Sequence, residues 1–326
     1  MDYTVTQETF ATLTSYWTDS KYKLKWEPIF VLPVWLEVWW RVLGSGAEPY
    51  LGVVWQGEEI LGIAPLILRN KTASIIGSAD VCDYLDFVVT PGREKDFFAV
   101  LLDDLRQKGI NHLDLKPLRP DSTVLTELVP LAENRRYEVR CQQEDVSLEL
   151  DLPATWDEYL ALLVPKQRHE VKRKLRRLEE AGDVDYRFVE DRSSVQDVMD
   201  TFLKQFAESR EEKANFLTTR MESFFRTMFE AMAEVGLLRV GILELDTLPA
   251  AMIMTFDYHD CVYLYNSGYD PQYRSLSVGV LSKVLCVRDS IQRGRKRFDF
   301  LRGGESYKHH MGGREVPLYN CQIVIR

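Results

Sequence analysis

The chain lacks the patterns that mark several large classes of protein. None of its apolar stretches approaches the roughly 20 residues that cross a bilayer, and the longest, from Ile29 to Trp40, is interrupted by Pro33 and Glu37. The N-terminus has no basic region followed by an apolar run, so we expect no signal peptide. G-x-S-x-G, H-E-x-x-H and G-x-x-x-x-G-K-[ST] motifs do not occur. Their absence argues against a serine hydrolase, a zinc protease and a P-loop ATPase.

Cysteines are few and scattered. There are five, an odd number, and they lie far apart and form no C-x-x-C pair. They are Cys82, Cys141, Cys261, Cys286 and Cys321. The spacing predicts neither a disulfide framework nor a zinc site, and we expect the cysteines to be buried, small apolar residues in a reducing, cytoplasmic compartment. No metal is expected.

Positive charge is outnumbered, because 41 lysine and arginine residues stand against 50 aspartate and glutamate residues and the net charge is −9. This balance argues against a general nucleic-acid-binding protein, which needs clustered lysine and arginine to contact phosphates. The 326 residues, of which 45% are hydrophobic and 28% are charged, suffice for two globular domains of about 150 residues each.

A similar order of elements occurs in both halves. A hairpin, a strand, a helix and a strand are predicted between Tyr50 and Lys116, and again between Leu238 and Leu301. Elements predicted from local patterns include a helix from Pro33 to Leu43, a strand from Tyr84 to Val89, a long helix from about Trp156 to Ala181 and a strand from Leu238 to Leu245. The sequence therefore predicts an α/β (α+β) chain made of two copies of one unit, with two mixed sheets flanked by helices. The expected domains are residues 1–150 and 151–326, joined by a linker within residues 120–152.

One segment of the second half leads from a strand through a loop into a helix. The loop of YLYNSGYDPQYRSLSVGVL supplies Arg274, Ser275, Ser277 and Gly279 just before the helix. Backbone N–H groups at a helix N-terminus attract phosphate, and arginine and serine strengthen such a site. The alternative is that Ser275 and Ser277 only cap the helix. Neither the Walker A nor the dinucleotide-binding spacing is present.

A second segment, FDFLRGGESYKHHMGG, places many ionisable residues directly after a strand. Loops at strand ends are where α/β proteins place functional groups, although a solvated charged loop remains the alternative. The adjacent His309 and His310 would point to opposite sides of an extended chain and make a poor metal-binding pair.

A third segment, KQRHEVKRKLRR, is a basic helix at residues 166–177. It is suited to an anionic substrate, acidic lipid headgroups or RNA. The alternative is a solvated helix that pairs with its own acidic neighbours.

Together, YNSGYDPQYRSLSVGVL, RFDFLRGGESYKHHMG and the basic helix resemble the GNAT-type acyltransferases related to the cellulose-biosynthesis protein CelD, which are relatives of the Fem aminoacyltransferases. PVWLEVWWRVLG and GIAPLILR in the first half resemble that group as well. The resemblance implies a tandem GNAT fold and an N-acyltransferase that moves an acyl group, with acetyl expected, from acyl-CoA or acetyl-CoA to an amine in polysaccharide or cell-envelope metabolism. The acceptor would be a small amine or a sugar-linked amine.

The resemblance also implies residue roles. Lys308 would stabilise developing negative charge, Tyr307 would protonate the departing thiolate, and Asp299 or Glu305 would assist the amine. The remaining implied contacts are with the donor, at Tyr265, Asn266, Ser267, Arg274, Ser275, Ser277 and Gly279, and with substrate, at Arg302, Lys166 and Arg168.

One departure keeps other functions open. GNAT phosphate loops typically carry two glycines near the helix start, and here Gly279 is the sole glycine between Pro271 and Leu285. The alternatives are a transferase that uses aminoacyl-tRNA, with RNA bound at residues 166–177, and a non-catalytic GNAT scaffold in polysaccharide assembly. The expected location is cytoplasmic, with the basic helix available to touch the inner face of a membrane.

Overall fold

The computed structural model describes residues 2–44 and 48–325. Its strands are β1 (Tyr3–Gln7), β2 (Glu48–Gln56), β3 (Glu59–Arg69), β4 (Thr72–Ile75), β5 (Val88–Val89), β6 (His112–Leu118), β7 (Glu138–Asp151), β8 (Val184–Val189), β9 (Leu238–Leu245), β10 (Leu248–Tyr258), β11 (Cys261–Tyr269), β12 (Arg297–Arg302) and β13 (Arg314–Val324).

The helices lie between groups of these strands along the chain. They are α1 (Phe10–Thr18), α2 (Pro33–Leu43), α3 (Glu94–Gln107), α4 (Val129–Asn134), α5 (Trp156–Leu162), α6 (Pro165–Glu179), α7 (Arg192–Ser209), α8 (Glu211–Phe216), α9 (Thr219–Glu234), α10 (Val278–Gln292) and α11 (Ser306–His310). In the described part of the chain, no helix is long and apolar enough to cross a membrane.

The chain divides into two compact units, residues up to Val146 together with those from Val316 onward, and Ser147–Glu315. The last segment therefore belongs to the first unit, whereas the sequence placed it in a second domain of residues 151–326. The physical reason is strand pairing, since β13 lies antiparallel to β6 and the pairs include Tyr319 with Leu118 and Ile323 with Leu113.

The first unit contains a mixed sheet in the order β1-β2-β3-β4-β6-β13-β7. Strands β2 and β3 form an antiparallel hairpin, and β4 pairs in parallel with β6 after the chain crosses over through α3. Helix α3 presents a row of apolar residues to this sheet, and Phe97 and Phe98 on it are fully buried against Phe87.

The second unit repeats this order. Its sheet runs β8-β9-β10-β11-β12 and ends on residues 147–151 of β7. Strands β9 and β10 form the hairpin, and β11 pairs in parallel with β12 after the crossover through α10. A parallel pair needs such a crossover. The repeated order predicted from the sequence is thus present in both units.

Helices cover both faces of the second sheet. Phenylalanines of α9 pack on Phe256 and Tyr265 on one face, with the ring of Phe229 6.1 Å from that of Tyr265. Phe202 and Phe206 of α7 pack in turn against the phenylalanines of α9. Helices α6 and α10 pack through Leu178 and Leu281 on Ala251 and its neighbours on the other face. Because residues alternate between the faces of a strand, β10 supplies both cores.

Three sequence predictions about these elements were wrong. The expected linker at residues 120–152 is ordered, with a π-helical turn at Val124–Leu128, helix α4 and the 14-residue strand β7. The expected long helix at 156–181 is broken, because Leu163 and Val164 are extended between α5 and α6 and Pro165 begins the new helix. Only Val88–Val89 of the strand expected at 84–89 is formed.

The cysteine prediction also fails for one pair. Cys141 of β7 and Cys321 of β13 form a disulfide within the first unit. The two strands are neighbours in the sheet although their cysteines lie 180 residues apart in sequence, so spacing along the chain carries no sign of the bond. Cys82, Cys261 and Cys286 are buried and unpaired, as expected.

Candidate active site

A cavity of about 300 Å³ lies in the second unit, where the N-terminus of α10 meets β11. Its walls come from the end of α7, the start of α8, the end of β11, the loop before α10, the first turns of α10 and the start of α11. The lining residues are Ser209, Arg210, Lys213, Ser267, Tyr269, Arg274, Ser277, Val278, Gly279, Val280, Lys283, Glu305 and Tyr307.

Two strands diverge beside this cavity. Parallel pairing of β11 with β12 covers only Cys261–Tyr263 and Arg297–Asp299, and β11 continues to Tyr269. On its other edge, β11 has a bulge at Tyr265, because Met254 pairs with Asn266 and the next residue of β10 pairs with Leu264. A bulge bends its strand and re-aims side chains. The last residues of β11 therefore turn towards the cavity.

A glycine brings α7 directly onto β11. A Cβ atom added at Gly268 would lie 2.4 Å from the backbone nitrogen of Phe206 and 2.5 Å from the carbonyl carbon of Gln205. Because these are backbone atoms, a change of side-chain rotamer could not relieve the clash. This contact holds the end of α7, and with it Ser209 and Arg210, at the cavity.

We expect Gly268→Ala to lower the free energy of unfolding by about 1–3 kcal/mol, because overpacking forces the backbone to shift. Chemical denaturation measures the change. Ser267→Ala is the matched control, since it removes a hydroxyl from the adjacent residue and adds no atom, and its loss should stay below about 0.5 kcal/mol. Equal stability of the two variants would show that the contact does not position α7.

The start of α10 is built for an anion. Asp270 accepts a hydrogen bond of 2.8 Å from Gln272 N, which opens a 3₁₀ turn at Pro271–Leu276. Ser277 then adopts a left-handed backbone with φ 61° and makes no side-chain cap. The capping role considered for its hydroxyl is therefore not found in the described structure. The free helix start faces the cavity beside the exposed guanidinium of Arg274.

Gly279 allows a close approach at the same place. A Cβ atom there would lie 2.8 Å from the ring of Tyr269, which packs over the first turn of α10 and forms part of the cavity wall. Gly279 thus lets the ring of Tyr269 pack closely against the first turn of α10, and it leaves the N–H groups of that turn open to the cavity.

Two lysines that the sequence argument missed lie inside the cavity. Lys283 is buried, donates a 2.6 Å hydrogen bond to Gly279 O and lies 5.2 Å from the Tyr307 ring centre. Lys213 donates to Ser267 O and lies over the ring of Phe206. Burial lowers the pKa of Lys283 to about 7, with Lys213 adding to the effect, and burial lowers the pKa of Lys213 to about 8.

A sequence signal for Lys283 exists. It is the one charged residue in the apolar run VGVLSKVLCV of α10, and charged residues are almost never fully buried without a partner. Arg210, between α7 and α8, and Lys213 of α8 carry no comparable signal, because these helices come to the cavity only through tertiary packing.

Glu305 and Tyr307 form the far wall. Burial acts to raise the pKa of Glu305, but the Lys308 ammonium, 2.9 Å from its Oε2, holds that pKa below its usual value. Burial, assisted by the charge of Glu305, raises the pKa of Tyr307. At neutral pH the carboxyl group is therefore ionised and the phenol protonated.

Lys308 itself is turned away from the cavity. Its ammonium donates to the carbonyl oxygens of Leu301, Arg302 and Gly303 at 3.0, 2.6 and 2.9 Å and pairs with Glu305. The three N–H donors of the ammonium are thus shared among three carbonyl oxygens and one carboxylate oxygen, and the Lys308 side chain is buried. The role expected for Lys308 at the reacting carbonyl does not fit this arrangement, and the residue instead holds the loop after β12.

Asp299 is also occupied elsewhere. It is 1% exposed, and its Oδ1 accepts a hydrogen bond of 2.7 Å from Leu301 N across a bulge in β12. Leu301 has a φ of 61° at this bulge. Asp299 therefore stabilises an unusual backbone and does not line the cavity, contrary to the catalytic role implied by the resemblance.

The remaining predicted residues divide between the cavity and its surroundings. Ser267, Arg274, Ser277, Gly279, Glu305 and Tyr307 lie together in its wall. The structure leaves these predicted residues outside the wall: Tyr265, which packs among phenylalanines of α9 and β10, and Asn266, Ser275, Arg302, Lys166 and Arg168. Among the described residues, no group of three or more His, Cys, Asp or Glu side chains could hold a metal ion.

Comparison with known proteins finds a family model that matches part of the chain. Residues 165–309 match the family model described as an acetyltransferase (GNAT) domain. The match spans every residue of the cavity wall, from Ser209 to Tyr307. A GNAT domain indicates an acyltransferase. No curated protein matches the sequence.

Solved structures of low sequence identity share the fold. FemX has a TM-score of 0.68 at 12% identity, covering 98% of this chain and 96% of that chain. A conserved protein of unknown function from Bacteroides thetaiotaomicron VPI-5482 has a TM-score of 0.61 at 12% identity, covering 98% and 99%. L-PGS from Bacillus licheniformis has a TM-score of 0.56 at 10% identity, covering 89% and 90%. The predicted fold class is confirmed.

Proposed function

We propose that the protein is an N-acyltransferase that transfers an acyl group from acyl-CoA to an amine. The observation that carries the proposal is the cavity of the second unit. It brings a cation-flanked helix start, a strand that diverges from its neighbour, an ionised carboxyl group and a protonated phenol within one space. The match of residues 165–309 to a GNAT domain supports the same chemistry.

The donor would lie along β11 and end at α10. Phosphate groups suit the N–H groups of the first turn of α10 and the guanidinium of Arg274. The pantetheine arm carries amide groups, which suit the main chain of β11 where it is no longer paired with β12. The thioester would then lie at the Tyr307 end of the cavity.

Transfer needs an attack by a neutral amine on the thioester carbonyl. The nitrogen–carbon bond forms, the carbon–sulfur bond breaks, the amine loses a proton and the thiolate gains one. Tyr307 carries a proton at neutral pH and is suited to protonate the leaving thiolate. Glu305 is ionised, and a fraction of Lys283 is neutral at pH 7, so either group is suited to accept the proton of the amine.

The first test is thermal unfolding with acetyl-CoA, a longer acyl-CoA and free CoA. A ligand that binds only the folded state stabilises it by about 2.7 kcal/mol at 100 times its dissociation constant. A clear rise in the unfolding temperature with a thioester supports the proposal and identifies the donor class. Unfolding that none of the three ligands alters would contradict it.

A second candidate is transfer from aminoacyl-tRNA. The observation that favours it is the exposed basic surface of α6, on which Lys166, Lys172 and Arg177 are exposed. RNA binding that weakens steeply with salt, together with no stabilisation by CoA thioesters, would favour this candidate over the first.

We expect Arg274→Ala to weaken CoA binding by about tenfold or more, because a hydrogen bond to a charged group contributes about 1.5–3 kcal/mol. Titration calorimetry with free CoA measures the change. Arg177→Ala, an exposed arginine of α6 outside the cavity, serves as the control and should leave the affinity unchanged. Wild-type affinity in Arg274→Ala would place the phosphates elsewhere.

A further inference from the structure

Lys283 is a buried amine in the wall of the cavity. It is 8% exposed, and its nitrogen lies 2.6 Å from Gly279 O and 5.2 Å from the centre of the Tyr307 ring. Gly279 and Lys283 are about one helical turn apart, so the side chain folds back along α10. Its four-carbon stem is flexible and lets the nitrogen move about this position. A nitrogen that can act as a nucleophile is therefore held beside the phenol of Tyr307.

Few contacts hold this nitrogen in place. Within residues 2–44 and 48–325, Gly279 O is its one hydrogen-bond acceptor, and no carboxylate forms an ion pair with it. Lys308 is the opposite case, because its nitrogen contacts three carbonyl oxygens and the Glu305 carboxylate. A buried cation with a single neutral acceptor is unfavourable. Loss of a proton removes the charge of Lys283, and a neutral lysine amine is a nucleophile.

The charges around Lys283 favour the same loss of a proton. Burial lowers its pKa to about 7, Lys213, Arg210 and Lys308 act in the same direction, and Glu305 acts against them. About half of the folded chains therefore carry a neutral amine here at pH 7, whereas an ordinary lysine with a pKa near 10.4 is neutral in roughly one chain in 2,500.

The reacting carbonyl of the donor would lie beside the same phenol. In the proposed reaction Tyr307 protonates the leaving sulfur, which places its oxygen at about 3 Å from that atom. The carbonyl carbon is bonded to the sulfur and so lies next to it. The cavity wall contains a second buried lysine, Lys213, but this side chain donates to Ser267 O and lies over the Phe206 ring. Of the two, Lys283 is the lysine in contact with Tyr307.

We propose that Lys283 is a site of self-acylation, at which the bound thioester acylates the protein itself when no amine acceptor occupies the cavity. The Lys283 nitrogen attacks the thioester carbonyl, a nitrogen–carbon bond forms and the carbon–sulfur bond breaks. The nitrogen loses one proton and the thiolate gains one, so the products are an Nε-acyl-lysine and free CoA. This inference rests on the proposed acyltransferase function, because an acyl-CoA must bind in the cavity.

The modification would block the site. An amide is stable in water, carries no charge and places the acyl group beside Tyr307, where the thioester of the next donor would have to lie. A chain that binds its donor without an acceptor would thus inactivate itself.

The test maps acetyl groups on wild-type protein incubated at pH 7 with acetyl-CoA and no amine acceptor. Trypsin cleaves after Lys283 when its amine is free, and acetylation prevents this cleavage, so the modified chain yields SLSVGVLSKVLCVR, residues 275–288, in one piece. Mass spectrometry compares this site with Lys213, in the same cavity, and with Lys166, which is exposed on α6. Thermal unfolding of the same protein reports separately whether acetyl-CoA binds.

We expect Lys283 to be acetylated at least about tenfold faster than Lys166, because its amine is more often neutral and the donor is bound beside it. Lys213 should react no faster than Lys166, since Ser267 O holds its nitrogen. Excess free CoA competes for the cavity and should slow acetylation of Lys283 without changing that of Lys166. Lys283→Arg keeps the positive charge and should abolish the fast reaction.

Two kinds of result would overturn the inference and leave the acyltransferase proposal intact. In one, acetyl-CoA stabilises the wild type and Lys283 stays unmodified. In the other, Lys283 reacts no faster than Lys213 or Lys166, or free CoA does not slow its reaction, so that the acetylation does not depend on a bound donor. Unfolding that CoA and its thioesters leave unchanged, together with an unmodified Lys283, would instead remove the proposed function and this inference with it.

Discussion

Lys308→Met is expected to lower the free energy of unfolding by about 3–5 kcal/mol, the range seen when one partner of a buried charge network is removed. The substitution leaves the carbonyl oxygens of Leu301, Arg302 and Gly303 without the donor that holds them. Each buried acceptor left unsatisfied costs about 1–3 kcal/mol, and methionine keeps most of the side-chain volume. Chemical denaturation of the two proteins gives the difference.

Two controls define the source of this loss. Lys166→Met changes an exposed lysine of α6 in the same way and should stay within about 0.5 kcal/mol of wild type. Glu305→Gln removes the ion pair but leaves the three carbonyl contacts, and since 43% of the Glu305 side chain is exposed, its effect should be much smaller. A loss below about 1 kcal/mol in Lys308→Met would show that the ammonium does not hold this loop.

Lys283→Met is expected to change how stability depends on pH. The pKa of Lys283 is about 7 in the folded chain, and that of an unfolded lysine is about 10.4. Between these values the unfolded chain binds one more proton than the folded chain at this residue, so wild-type stability rises with pH by at most about 1.4 kcal/mol per unit. Below pH 7 Lys283 is protonated in both the folded and the unfolded chain, and the full free-energy cost of burying its charge is present.

The variant removes this slope. Lys283→Met should gain most over wild type at pH 6–7, and its advantage should shrink as the pH rises towards 9. Lys213 contributes a slope of the same sign above about pH 8 in both proteins, so the difference between the proteins isolates Lys283. Denaturation curves at pH 6, 7, 8 and 9 provide the measurement. Parallel curves for the two proteins would mean that Lys283 stays charged, with an ordinary pKa, in the folded state.

The elements with strong local signals were predicted from the sequence. Pro33, placed early where a missing N–H costs little, correctly began α2 at Pro33–Leu43, and the run LRVGILEL correctly placed β9 at Leu238–Leu245. Strand β13 was missed, although it completes the first sheet. Its place between β6 and β7 depends on pairing with residues more than 170 positions away, and no local pattern reports such a partner.

The candidate site was predicted in part for the same reason. Arg274 and Ser277 precede α10 and Gly279 lies in its first turn, so position along the chain was enough to group them. Lys308 was assigned to chemistry by the family resemblance, but neither a resemblance nor a dense run of ionisable residues says which side chains turn inward to backbone carbonyls. Arg210 is brought to the cavity by the close contact of α7 with Gly268, a tertiary event.

The position of β13 sets an order for folding during synthesis. The first unit lacks this strand until the residues of the second unit have been made, which takes roughly ten to thirty seconds at ribosomal rates. During that interval β6 and β7 are strands without the neighbour that separates them in the finished sheet, and unpaired strand edges invite pairing with other chains. The second unit is continuous from Ser147 to Glu315, so it has all its residues first. The second unit, which is translated later, is thus able to fold before the first unit. The first sheet is completed only when β13, which follows the second unit in the chain, has been made.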